Sequence, residues 1–303
     1  MVHDSEFYVQ DGKVSQTAQY MAFCRALEVQ EQPARRLFDD PYAFALLSGP
    51  YRMLARLARL PVLGKLVHAM IELGWPYTRS SGVVRTRAID DLVRDAIRSG
   101  ARQLVLLGAG FDSRGCRLEE AGKIQVFEVD HPATQQVKKE RLNACMGRLP
   151  ANIRYLAVDF ERDDLQTKLI ESGYDPATPT VVVWEGVIDY LTESAVEGTF
   201  AVLARLLAPS SSLIFTYMHK GVLDGSKAFP GARRWRSWNN FSGESFIFGF
   251  DPDTLAEMLK PYRFLLQTDA STEEIARRYC PPLGRREPGN LAYRVVAATR
   301  VET

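Results

Sequence analysis

The residues of this 303-residue chain whose types and spacing suggest chemistry begin at Gly108-Ala109-Gly110-Phe111-Asp112-Ser113-Arg114, directly after the apolar run QLVLL. A buried strand running into a glycine turn marks the edge at which doubly wound α/β sheets bind ligands. Gly108, Ala109 and Gly110 would let the backbone approach a ligand closely. The turn departs from the dinucleotide pattern GxGxxG, because Ser113 occupies the place of the third glycine. Asp112 also puts a carboxylate where a pyrophosphate would sit, which disfavours NAD but suits a ligand without phosphates, such as S-adenosylmethionine. A turn that merely connects strand to helix is the competing reading.

Twenty-two residues after Gly108, the next apolar strand, IQVFEVD, ends at Asp130, followed by the turn residues His131-Pro132. The spacing is close to the roughly 20 residues expected for a ribose-binding acid. An ionised carboxylate only accepts hydrogen bonds, which suits it to the two ribose hydroxyls. A solvated acid at a strand end is the alternative. The third strand, IRYLAVDF, leads to Asp159, placed to accept the adenine amino proton, with Phe160 covering the ring. An N-cap for the helix that starts near ERDDL competes for Asp159.

The elements that must position these residues fall into two parts. About eighty N-terminal residues read as helices: one from Ser15 to Gln30, a short one opened by Asp40-Pro41, and two amphipathic ones over residues 51–73, broken by Pro61 and Gly64. The last pair could pack on the core, line an apolar substrate entrance or lie on a membrane surface. From Ala101 strands and helices alternate, with helices near Thr134–Cys145, Asp164–Ser172 and Thr192–Leu207 and further strands at TVVVWEG and SSLIFTYM. This rhythm predicts a mostly parallel sheet. FLLQTD and LAYRVVAATR, separated by what reads as only a loop, suggest an antiparallel closing pair. The expected division is a helical cap over residues 1–84 and an α/β core over 85–303. That core includes an aromatic insertion, 219–250, read as a lid over the acceptor; Trp235, Trp238, Phe241 and Phe246 could equally form a satellite core.

Lys and Arg number 38 against 37 Asp and Glu, so no global field recruits nucleic acid or an anionic membrane, and RRWR in the insertion is a single short basic cluster. A small-molecule partner fits better. The four cysteines have no metal or disulfide spacing, the N-terminus is too polar for a signal peptide, and no apolar run approaches membrane-spanning length. A soluble cytoplasmic protein without a metal site is expected. Oligomeric state is not legible.

RTRAIDD, LGAGFDSR, EVDHP, VDF and WEGVIDYL, in this order, resemble the leucine carboxyl methyltransferase family of class I methyltransferases. They are most similar to its bacterial branch of polyketide O-methyltransferases and mycobacterial methyltransferases, and the resemblance covers most of the chain. It implies a Rossmann-like α/β fold with a seven-stranded, mostly parallel sheet, S-adenosylmethionine as cofactor, and O-methylation of a carboxylate or hydroxyl in secondary metabolism. Position by position it implies Arg85, in preference to Arg87, for the methionine carboxylate of the cofactor. It further implies Gly108 and Gly110 along the methionine chain, Asp130 and His131 at the ribose, Asp159 at the adenine, Glu185 near the ammonium or sulfonium, and Tyr190 near the acceptor. Tyr217, Arg233, Arg234 and Trp235 are candidates for contacting the acceptor.

A carboxylate acceptor is already ionised at neutral pH, whereas a phenol would need a base such as His219, Tyr190 or Tyr217. None of these sits in an evident dyad, and a lone His is more often structural. Methylation of a carboxylate on a small apolar or aromatic molecule is therefore the leading reading. A hydroxyl acceptor, a nicotinamide oxidoreductase and a cofactor-binding module without catalysis are its rivals.

Overall fold

The computed structural model describes residues 14–160, 163–232, 234 and 246–302. Four helices lead the chain: α1 (Gln16–Glu28), α2 (Gly49–Leu57), α3 (Pro61–Gly74) and α4 (Thr78–Arg98). Ser15 starts α1 because its hydroxyl accepts the Ala18 N–H at 3.1 Å, as its place before an apolar-periodic run suggests. Pro61 separates α2 from α3, but Gly64 does not break α3. A Cβ at Gly64 would lie 2.4 Å from the Ala58 carbonyl oxygen, so this glycine lets the two helices meet closely. The helix expected after Asp40-Pro41 is instead a series of turns. The Asp40 carboxylate does accept the Tyr42 and Ala43 N–H groups, but it also holds Arg25 Nε at 2.9 Å and the Ser113 hydroxyl at 2.7 Å. It serves as a tie between elements rather than the start of a helix.

Strands β1 (Gln103–Leu107), β2 (Gln125–Asp130), β3 (Ile153–Ala157), β4 (Thr180–Trp184), β5 (Ser212–Met218), β6 (Phe264–Ser271) and β7 (Tyr293–Arg300) form one sheet in the order 3-2-1-4-5-7-6. β7 runs antiparallel to both its neighbours, and the other pairings are parallel. Only part of the expected ending holds. β6 and β7 do pair antiparallel, but a helix, Thr272–Tyr279, stands between them. Its start is a capping box in which Ser271 and Glu274 satisfy each other's backbone N–H groups.

Alternation along the strands divides the core into two layers. Leu104 and Leu106 of β1 and Val181 and Val183 of β4 face the N-terminal helices, while Val105, Leu107, Val182 and Trp184 face the opposite layer. α4 crosses the expected boundary at residue 84 without interruption, and its Val83, Val84, Ile89 and Val93 lie in the layer that β1 and β4 share with α1. The N-terminal helices are thus packed into the same core layer as β1 and β4.

Candidate functional site

The glycine turn follows β1 in left-handed backbone, with φ +63° at Gly108 and +43° at Gly110. Space is as restrictive as conformation. A Cβ at Gly108 would come within 2.3 Å of Val187 Cγ2, and one at Gly110 within 3.1 Å of the Ala18 Cβ on α1. Gly108→Ala should therefore destabilise the protein by ~1–3 kcal/mol in thermal unfolding, from overpacking and strain together. Adding Val187→Ala should recover the overpacking part; an additive double variant would contradict the contact.

Arg114, the last residue of the LGAGFDSR motif, organises the loop electrostatically. Buried to 2% exposure, it donates Nε to Asp90 of α4 at 2.8 Å and Nη1 to Asp112 at 2.6 Å and to Glu185 at 2.5 Å. Burial opposes the ionisation of Asp112 and Glu185 and is the largest single influence on each, but the neighbouring cations together, Arg114 first among them, outweigh it and hold both carboxyls below the usual carboxylate range. Asp112 is thus neutralised from within. Its charge carries less weight against a pyrophosphate than its position in the sequence suggested.

Glu185, just beyond β4, passes the network on to Arg85: its other oxygen accepts Arg85 Nε at 2.8 Å. The Arg85 guanidinium lies over the Tyr293 ring at 4.9 Å, and its Nη2 reaches Met21 Sδ at 3.0 Å. A thioether is a weak acceptor for so strong a donor. Arg87 faces elsewhere, pairing with Asp91 at 3.0 Å and donating to the Leu37 carbonyl.

At the end of β2, Asp130 Oδ1 accepts the His131 N–H at 2.8 Å, while Oδ2 is buried without a hydrogen-bond partner. Burial pushes this carboxyl up to about 6 against the pull of that N–H, of the Lys138 ammonium and of the Gly110 N–H. His131 caps the helix that follows, its Nδ1 accepting the Ala133 N–H at 3.3 Å. Asp159 lies half-buried beyond β3 with Phe160, which packs against the second core layer. The capping role that competed for Asp159 belongs to Asp164, whose carboxylate accepts the Gln166 and Thr167 N–H groups.

Beside these strand ends lies a cavity of about 770 Å³, counting its open mouth. Thr17, Tyr20 and Met21 of α1 and Trp75 form one side, and Arg85, Gly186, Tyr190, Met218, Phe246 and Tyr293 the other. Its aromatic rings are paired: Tyr20 meets Trp75 edge-on at 4.5 Å, and Tyr190 meets Phe246 at 5.2 Å. The Tyr190 hydroxyl lies 3.2 Å from Thr17 Oγ1, joining the two sides. Behind Tyr293 is the fully buried Asp189, which accepts the Tyr293 hydroxyl at 3.0 Å and the Met218 N–H at 2.6 Å. Burial raises the Asp189 carboxyl to about 6 despite these donors.

A family model described as leucine carboxyl methyltransferase matches residues 18–204, more than half of the chain. The chain belongs to this family. A Streptomyces avermitilis relative is 34% identical over 294 residues, covering 89% of this chain and 95% of that one. A Mycolicibacterium smegmatis relative is 31% identical over 311 residues, covering 98% of each. Both carry the provisional name of S-adenosyl-L-methionine-dependent methyltransferase. A Thermobifida fusca structure, provisionally titled a methyltransferase, covers 91% of this chain and 97% of its own with a TM-score of 0.57 at 16% identity, which confirms the Rossmann-like class I fold. S-adenosylmethionine, the cofactor of the family, is the group against which the strand ends must be measured. They fit it: the buried, unpartnered Asp130 oxygen calls for a hydroxyl donor, and Gly108 and Gly110 leave a cradle that a Cβ would crowd.

Among the described residues expected at the acceptor, Tyr190 lines the cavity, as does Phe246 of the expected lid. Tyr217 is fully buried on the opposite face of β5, its hydroxyl donating to Asp269 at 2.7 Å, because strand alternation sends Thr216 and Met218 to the cavity side instead. His219 is buried as a helix cap, Nδ1 accepting the Gly221 N–H at 2.9 Å and the ring packing on Phe229, so it does not line the cavity. Arg234 is exposed and donates to the Leu73 carbonyl at 2.8 Å. Arg233 and Trp235, with Trp238 and Phe241, lie outside the described residues. Met21, Asp189 and Tyr293 carried no signal beyond ordinary core residue types.

Proposed function

We propose that this chain transfers a methyl group from S-adenosylmethionine to a carboxylate oxygen of a small apolar or aromatic acceptor, giving a methyl ester. The observation that carries the proposal is the aromatic cavity that meets Arg85 and Gly186 at the end of β4, beside the turn of Gly108 and Gly110. The cofactor, when bound, supplies an electrophilic methyl on a sulfonium. Arg85, held in orientation by Glu185 and the Tyr293 ring, pairs its planar fork with the cofactor carboxylate, a far better acceptor than Met21 sulfur. Ala109 keeps the turn on β2 through its N–H to the Val129 carbonyl. Asp130 receives the ribose hydroxyls next to His131, and Asp159 and Phe160 receive the adenine. Glu185 retains lone pairs for an ammonium group beside those given to the two arginines.

The described lining offers hydroxyls, the Gln16 amide, the Met21 and Met218 thioethers, aromatic faces and one paired guanidinium, with no imidazole and no carboxylate. An acceptor that arrives ionised needs none. Tyr190 and Phe246 hold it against the sheet while α1 and Trp75 close the opposite side and exclude water. Positioning of this kind can supply ~7–11 kcal/mol of the barrier, and a dry site favours a reaction in which opposite charges cancel. The N-terminal helices and the insertion act together as the cover, joined by the Arg234 contact with Leu73.

The two possible acceptors separate on labelled product and pH. With a methyl-labelled cofactor, mild alkali should release the label as methanol, and the rate should stay nearly flat from about pH 6 to 9 on the acceptor side. Label that survives alkali as an ether, with a rate climbing toward a phenol's pKa, would overturn the carboxylate reading and assign a hydroxyl acceptor.

A further inference from the structure

α2 and α3 expose apolar surface that the methyl-transfer reading does not use. Of the large hydrophobic residues exposed among the described residues, Met53, Leu60, Val62, Leu63, Leu66, Met70 and Leu73 all belong to this one hairpin. Val62, Leu66, Met70 and Leu73 follow helical spacing on α3 and are 77%, 59%, 55% and 69% exposed. The inner side of the same helix carries the buried Gly64 and Val67. The outward stripe is therefore a second apolar face on a helix whose packing face is already used.

Charge selects the partner. Arg56, Arg59 and Lys65 are exposed on this hairpin; Lys65 flanks Val62 and Leu66 on α3, while the Arg56 and Arg59 guanidiniums lie over the Phe44 ring at 5.8 and 5.1 Å, each with its outer side open to solvent. Glu72, its one acid, is half-buried and accepts the Tyr77 N–H at 3.2 Å. Arg52 turns inward to the Ala45 and Leu47 carbonyls. An exposed apolar stripe with Lys65 beside it and two exposed arginines on the same hairpin, without an exposed acid on the segment, suits the headgroup and acyl boundary of an anionic bilayer. No helix among the described residues is long and apolar enough to cross a membrane, so the contact is one of lying on the surface.

We propose that the α2–α3 hairpin docks this protein peripherally on anionic lipid membranes. α3 runs directly into Trp75, which lines the cavity, so the docked face adjoins the cavity wall.

Flotation of the full chain with vesicles of phosphatidylcholine, alone or mixed with phosphatidylglycerol, tests the proposal. Co-flotation is expected with the mixed vesicles and should weaken with salt. Combining Val62→Glu, Leu66→Glu and Met70→Glu should abolish it; these positions are exposed, so the melting temperature should stay unchanged. Arg56→Gln, Arg59→Gln and Lys65→Gln together should lower partitioning on the order of a hundredfold, at about fivefold per cation. Folded wild-type protein that ignores anionic vesicles would overturn the proposal. So would a wild-type dimer in sedimentation velocity that the glutamate variant dissociates while vesicle binding is unaffected, since the face would then belong to a second copy. Both outcomes are independent of cofactor binding and turnover.

Discussion

Replacing Arg114 by methionine should lower folding stability by about 3–5 kcal/mol, the range for removing one partner from a buried ion pair. The side chain is 2% exposed and bridges three carboxylates: Asp90 from α4, Asp112 from the glycine turn and Glu185 from the end of β4. Arg117 still pairs with Asp90, and Arg85 with Glu185, so those two acids keep one cation each. The remaining imbalance falls on Asp112, whose charge depends first on Arg114 among its neighbouring cations. In thermal denaturation the loss amounts to a fall on the order of 10 °C for a chain of this size. A melting temperature within a degree or two of the wild type would show that the cluster is not the tie it looks to be. The stakes reach beyond stability, because Glu185 orients Arg85 and leans on Arg114 for its own position.

Asp130 should behave in the opposite sense. Asp130→Ala should weaken S-adenosylmethionine binding on the order of 10- to 100-fold, the loss of ~1.5–3 kcal/mol expected for hydrogen bonds to a charged acceptor. Isothermal titration calorimetry measures it directly, and unchanged affinity in a folded variant would remove Asp130 from the ribose site. In the ligand-free protein the same carboxylate is a cost to stability. Burial raises it from an ordinary 3.8 to about 6, so the fold binds its proton more tightly than the unfolded chain does. The associated stability is fully present below about pH 4 and is lost as pH rises through about 6. Asp189, raised in the same direction, adds to the same slope. Asp130→Asn, which keeps an acceptor for the His131 N–H, should remove the Asp130 share. The variant should melt higher than the wild type at pH 8 and converge with it at pH 4. A variant less stable at pH 8 would mean that the carboxylate is satisfied within the protein and not reserved for a ligand.

Much of this arrangement is legible in the sequence where backbone and function impose the same residue. Gly108 is one such place, since left-handed backbone and a close neighbour both forbid a side chain, and the end of β2 at Asp130 can be located from its distance along one βαβ unit. The strands carry apolar runs, so their number and order of appearance can be read directly. What the sequence hides is what depends on distant pairing. Arg114 looks like a surface arginine until Asp90, twenty-four residues earlier, is folded against it. Tyr217 and His219 look like neighbours of the site because they sit at the end of β5, yet a one-residue phase along a strand turns Tyr217 to the far face. The helix between β6 and β7 is a different kind of omission. Its Ser271-x-x-Glu274 capping box is a local signal, and eight residues sufficed to be mistaken for a loop.

In the proposed function the cofactor lies along the ends of β1, β2 and β4, with its carboxylate at Arg85 beside the aromatic cavity. Calorimetric titration of S-adenosylmethionine into Arg85→Gln and Arg87→Gln, side by side, tests that placement most directly. The two arginines share a helix and differ in direction, since only Arg85 lines the cavity, whereas Arg87 pairs with Asp91. Arg87→Gln should bind like the wild type. Arg85→Gln should lose at least tenfold in affinity, in keeping with ~1.5–3 kcal/mol for a charge-assisted pair, while remaining folded by circular dichroism. Equal affinities in the two variants, or a loss confined to Arg87→Gln, would contradict it.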